Sequence, residues 1–313
     1  MEHFWIVLAV LGAALQAIRT AAQRDLNKHL STLATTYVRS LFGLPVLTVY
    51  LLAVLAATGE GMPRFSFAYL AYTFTGAMMQ VIATALLIRM FTLRSFGVGT
   101  MLTKVDIVIT ALLGALFFSE VLSAGGIVAL GVVMAGVVLM SLERTQKAGW
   151  LAAAGDVRGL GLVKAVILDK ALAVALGCAA SFAVSFLTYR EAALVIGEGT
   201  FLWRGGWTVV LAILMQTVIV GAWLAWREPG LAARLAPHWR ISTFIGATSA
   251  VGSICWFTAF ALQNASYVRA VGQIEVVFTL LVSALYYRER ISPLEYAGIA
   301  LTVAGVVMFR LMV

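Results

Sequence analysis

The sequence predicts an all-α integral membrane protein whose ten transmembrane helices form two inverted five-helix repeats. Three observations lead there. Of 313 residues, 62% are hydrophobic and only 12% charged, with mean hydropathy +0.98, whereas soluble domains carry about 25% charge. Apolar windows of about 20 residues, each able to cross the hydrocarbon layer as a helix, recur along the chain. The two halves also resemble each other at one fixed shift, which carries Asp106 onto Glu275.

Windows and helix breakers place helices over 4–24, 32–57, 67–90, 97–118 and 124–142. A second set falls over 170–189, 199–226, 241–262, 268–287 and 293–312. The opening MEHFWIVLAV lacks the basic n-region of a signal peptide and reads as the first span. Between the sets lies a polar, glycine-containing stretch, ERTQKAGWLAAAGDVRGLGLVKAVILDK, part of which is expected to lie as a short helix on the membrane surface. The chain therefore divides into a first repeat, 1–142, a linker, 143–169, and a second repeat, 170–313.

The repeat rests on polar matches, because apolar helices align easily by chance. At the same shift Thr110, Glu120 and Ser123 recur as Thr279, Glu289 and Ser292, among matched Ala, Val, Leu and Gly positions. Five spans per half is an odd number, so the second half must enter the membrane inverted. Loops after odd-numbered helices carry fourteen Lys and Arg against four on the other side (Arg64, Arg190, Arg269 and Arg310). The positive-inside bias then puts both termini outside a cytoplasmic (inner) membrane. The net charge of +8 is spent on these loops. With no basic cluster interleaved with aromatics, nucleic acid is not an expected partner.

An acid within a span costs roughly 2.5–3.5 kcal/mol on insertion scales, so Asp106 and Glu275 are expected to face the bundle interior. Thr103, Asp106, Thr110 and Gly114 share one helical face, and Gly272, Glu275, Thr279 and Ser283 repeat it. Either these stripes form a substrate or proton site, or they are a structural polar seam. Lys104, two residues from Asp106, points to another face and need not pair with it. Arg39 and Arg204, early in the second helix of each half, are candidates for binding an anionic group, with snorkelling and ion pairing as alternatives; Arg19 is similarly placed. Trp203, Trp207 and Trp256 are candidates for stacking on an aromatic or cationic substrate, and Gln80 lies on a thin polar stripe with Thr73 and Thr84. Trp5, Trp150, Trp226 and Trp239 sit near predicted helix ends, as interface anchors do. Gly131, Gly136, Gly298 and Gly305 make the fifth and tenth helices close-packing scaffold or an oligomer surface.

Cys178 and Cys255 lie singly in apolar segments, and His3, His29 and His238 make no ligand pair. No metal, cofactor or disulfide is therefore expected. Membrane enzymes need a constellation such as His/Asp or Ser/Lys within the bilayer, and no histidine falls in a predicted span.

In this order the features resemble the drug/metabolite transporter superfamily, in its ten-helix EamA-type branch. The resemblance covers essentially the whole chain: the duplicated five-helix unit, Arg39 and Arg204, Asp106 and Glu275, and the helix-end pattern at Glu120 and Glu289. Ile107 and Val276 stand directly after the acids, where family members often have proline. LQAIR in the first helix replaces a frequent tryptophan-containing motif. The resemblance implies a secondary transporter working by alternating access, with a cavity formed by all but the fifth and tenth helices. It implies an exporter of a small metabolite, amino acid or amphipathic or cationic compound, with protons as a candidate coupling partner and a monomer or homodimer as the unit. An uptake permease and a lipid flippase of the same fold remain alternatives.

Overall fold

In hydrocarbon a backbone must satisfy its own hydrogen bonds, and the helix is the local solution. The computed structural model describes residues 3–93, 103–120, 122–147, 170–286, 288 and 291–312. Its first half holds α1 (Phe4–Leu26), α2 (Thr32–Thr58), α3 (Phe67–Leu93), α4 (Asp106–Phe117) and α5 (Ala124–Lys147). The second holds α6 (Lys170–Val195), α7 (Phe201–Arg227), α8 (Trp239–Leu262), the helix pair α9a (Ala265–Gly272) and α9b (Glu275–Leu285), and α10 (Pro293–Met312). Among the described residues, eight segments are long and apolar enough to cross a membrane, the α9 pair counting as one. The expected surface helix of the linker, Trp150 and Glu289 lie outside the described residues.

Local chemistry sets the ends. Ser31 caps α2 by accepting from the Ala34 N–H at 3.1 Å, and Thr200 caps α7 by accepting from Trp203 N–H at 3.2 Å. These caps are repeat mates. Their alignment leaves Arg39 eight residues beyond its cap and Arg204 only four beyond, so the two arginines are not equivalent positions. Gly59 closes α2 in the left-handed conformation, φ 68°.

The repeats are inverted. Phe4 meets Phe201 edge to face at 6.4 Å, which places the starts of α1 and α7 on one face, the N-terminal face. His29 stacks on His238 at 4.7 Å on the opposite, linker face. Along α3, α6 runs antiparallel: Ser185 Oγ donates to the Gly76 carbonyl at 3.0 Å and Cys178 Sγ to that of Ala83 at 3.3 Å. Thus α6 starts at the linker face, whereas its mate α1 starts at the other.

Contacts come in symmetric pairs. The α3–α6 packing has its image in α1–α8, while α2 packs on α7 and α5 on α10, each helix against its own mate. At the α5–α10 crossing a Cβ on Gly136 would lie 2.4 Å from Thr302 Oγ1, and one on Gly305 would lie 2.6 Å from Val133. Only glycine permits this approach, so these helices pack as scaffold.

Three expectations need correction. Trp5 is 4% exposed in the core and is no interface anchor, whereas Trp226 and Trp239 are exposed at 68% and 57%. The ninth span is not one helix over 268–287; it begins at Ala265 and breaks at Gln273–Ile274. Arg269, counted among loop cations, is buried inside α9a.

Candidate functional site

In both repeats an α-helix starts at the acid. A single 3-10 turn, Thr103–Val105, leads into α4, whose first residue is Asp106. Short-range bonds, Gln273 N–H to the Ala270 carbonyl and Ile274 N–H to that of Val271, join α9a to α9b, whose first residue is Glu275. No proline is needed for the break between α9a and α9b. Each carboxylate sits at a helix N-terminus, where the dipole favours negative charge. The α9 break falls midway along its span, a position where discontinuous helices of transporters commonly build a site.

The acids are paired crosswise between repeats. Glu275 Oε2 accepts from Lys104 Nζ at 2.7 Å and from Gln16 Nε2 at 3.0 Å. Asp106 Oδ2 accepts from Arg269 Nη2 at 2.5 Å, and Oδ1 from Gln273 Nε2 at 3.3 Å. Lys104 and Gln273 occupy the same position in the two repeats. Each acid is therefore touched by the residue two before the other acid, one contact being the pseudo-twofold image of the other. All four charged groups are almost fully buried. Lys104, Arg269, Gln273 and Gln16 were missed as site residues, although the shift that aligns the acids already aligns Lys104 with Gln273.

Beside these pairs lies a closed chamber of about 10 Å³, room for about one water. Gln16, Arg19, Arg39, Gln80, Tyr189 and Trp256 line it with phenylalanines. Trp256 is clamped between Gly12 and Gly272, where an added Cβ would meet the indole at 3.1 and 2.4 Å. The Arg269 guanidinium lies 4.3 Å from the Phe186 ring centroid and 5.0 Å from that of Trp256. Gln216 Oε1 accepts from Arg39 Nη2 at 2.7 Å, while its amide donates to Gln80 Oε1 at 2.8 Å, which also accepts from Tyr189 Oη at 3.0 Å.

The other expected residues are placed as follows. Thr103 is buried at the turn before α4. Thr110 turns its hydroxyl back onto the Asp106 carbonyl at 2.7 Å, and Thr279 Oγ1 is buried without a partner among the described residues. Arg204, Trp203 and Trp207 do not reach the chamber. Arg204 Nη2 lies 3.4 Å from the Ala261 carbonyl, Trp203 Nε1 donates to that of Gly61 at 2.8 Å, and Trp207 packs on Phe65. All three belong to the N-terminal end of α7. Glu120 is structural. It accepts from the Ala265 and Ser266 N–H groups at 2.8 and 3.0 Å, capping α9a, and pairs with Arg190 at 3.2 Å.

A second hollow, about 490 Å³ and almost entirely apolar, lies on another face of α1, between it, α8 and α9b. It is larger than the chamber but holds neither of the buried acids, Asp106 and Glu275.

An inverted-repeat helical bundle, with two buried acids at helix starts beside a closed polar chamber, is a multi-pass membrane protein built as transporters are. The chain belongs to the EamA-like transporter family, whose model matches residues 3–142 and 169–311. It is a membrane transporter of the drug/metabolite type. A solved crystal structure resembles it with a TM-score of 0.66 over 99% of this chain and 97% of that one. At 15% identity that likeness concerns the fold alone. No curated protein matches the chain.

Proposed function

We propose that this chain is a secondary transporter of the cytoplasmic membrane, exporting a small metabolite by alternating access, with both termini outside. One observation carries the reading: two repeat-related acids at helix starts, each held by the other repeat beside a closed chamber. Such a crossed arrangement is a two-sided clasp. Parting the repeats toward either face must stretch Lys104–Glu275, Asp106–Arg269 or both. An acid that loses its cation in a low-dielectric interior gains proton affinity, which makes the Lys104–Glu275 pair the natural place for proton coupling. No catalytic role is assigned to any residue.

The test is transport by the full chain in proteoliposomes under an imposed pH gradient, with a panel of labelled amino acids, amines and organic acids. Uptake that follows the gradient is expected, and Glu275→Gln should lose the gradient-dependent part. Full pH dependence in Glu275→Gln would remove that residue from coupling.

The lipid-flippase reading draws on the apolar hollow between α1, α8 and α9b. Its test is scrambling of fluorescent lipid in the same vesicles, and the transporter reading expects none.

A further inference from the structure

Among the described residues the charges around the chamber do not balance. Lys104, Arg269, Arg19 and Arg39 are four buried cations, and Asp106 and Glu275 are the two buried acids beside them. Both acids already have partners. Arg19 is 6% exposed and makes no hydrogen bond or ion pair among the described residues, its Nε lying buried and unpartnered. Among the described residues Arg39, 2% exposed, bonds only to the neutral Gln216, and its Nε is likewise unpartnered. Glu275 attracts Arg19 through space, but Lys104 and Gln16 hold its Oε2. Two guanidinium groups thus share the chamber wall with no carboxylate bonded to either among the described residues.

An uncompensated charge in the interior is strongly unfavourable unless something pairs with it. Guanidinium donors are matched in geometry to carboxylate and phosphate oxygens, and Phe182, Phe186, Phe257 and Phe260 add apolar surface to a lining whose other polar groups are neutral amides and hydroxyls. A cationic substrate meets the opposite situation, since neither acid is free to receive it. We infer that the chamber takes an organic anion, a carboxylate or phosphate on an apolar body, with Arg19 and Arg39 as its headgroup ligands. The inference rests on the transporter reading for what the chamber is for, and the repeats must part to admit such a body.

The experiment is thermal melting of the full chain in detergent with probes that share a ring and differ in headgroup: benzoate, phenyl phosphate, benzylamine and benzyl alcohol, at matched ionic strength. One or both anions should raise the melting temperature, and which does so distinguishes a carboxylate site from a phosphate site. Arg19→Gln and Arg39→Gln should weaken that half-saturation about tenfold or more, the worth of a charge-assisted hydrogen bond. Arg240→Gln, an exposed position on Trp239, should leave it unchanged. Without ligand, Arg19→Gln should melt no lower than the parent, because it removes an unpaired charge. Benzylamine protecting as well as the anions, no protection by either anion, or a large loss of unliganded stability in Arg19→Gln would each overturn the assignment. Counterflow of labelled benzoate and phenyl phosphate in liposomes separates the two readings. Anions that protect but are not carried leave the anion site standing and count against transport; a carried amine does the reverse.

Discussion

At the scale of single residues, the crossed pairs set the terms. Removing one member of a buried ion pair strands the other, a loss of roughly 3–5 kcal/mol, whereas replacing both with neutral groups is often close to neutral. Lys104→Met should therefore lower the melting temperature sharply, and Lys104→Met with Glu275→Gln should recover most of the loss. A double variant no better than the single would show that Lys104 does not hold Glu275. The acids were legible in the sequence because a carboxylate in an apolar run demands an interior partner. Their partners were not, for two physical reasons. Lys104 sits on a 3-10 turn, where helical-face geometry does not apply, and Arg269 reads as a loop cation until the extra helix α9a is seen. Arg204 erred the other way, since distance from the N-cap decides depth and it lies one turn too shallow to reach the chamber.

Among the helices, the ends of α2 and α7 hold each other reciprocally. Glu60, just past α2, accepts from the Thr200 N–H and hydroxyl at 2.6 and 2.8 Å, gripping the cap of α7. Glu228, just past α7, accepts from the Ser31 hydroxyl at 2.5 Å, gripping the cap of α2, and from Arg234 at 2.7 Å. At Glu60 desolvation pushes the carboxyl up, yet the hydrogen bonds from Thr200 and Thr58 together bring it below its ordinary value. At Glu228 the Ser31 hydroxyl and then Arg234 hold it low against desolvation. A carboxyl depressed by folding stabilises the folded state above its unfolded pKa of about 4.3 and stops doing so as pH falls through the lower folded value. The melting gap between the parent and Glu60→Gln should therefore be present at neutral pH and close below about pH 4. A gap that widens in acid would contradict the assignment. Helix positions were largely readable, because apolar length and Ser or Thr caps fix them locally. The break before Glu275 was not, since it depends on tertiary bonds from Lys104 and Gln16 and on no proline.

For the whole molecule, the two grips lie on opposite faces and both are closed, with the chamber shut between them. Opening toward one face need release only one grip. Glu60→Gln should bias the protein toward opening at the N-terminal face, and Glu228→Gln toward the linker face. Single cysteines lining each approach, labelled with a membrane-impermeant maleimide, should therefore change reactivity in opposite directions in the two variants. Equal changes on both faces would mean that the grips serve stability alone. The crossing of α5 on α10 bears on this in a different way. When two halves related by a dyad exchange shapes, whatever lies on the dyad keeps its place, and Gly136 and Gly305 press these helices together there too closely for sliding. Alternating access would leave this tight contact in place while the helices packed more loosely move.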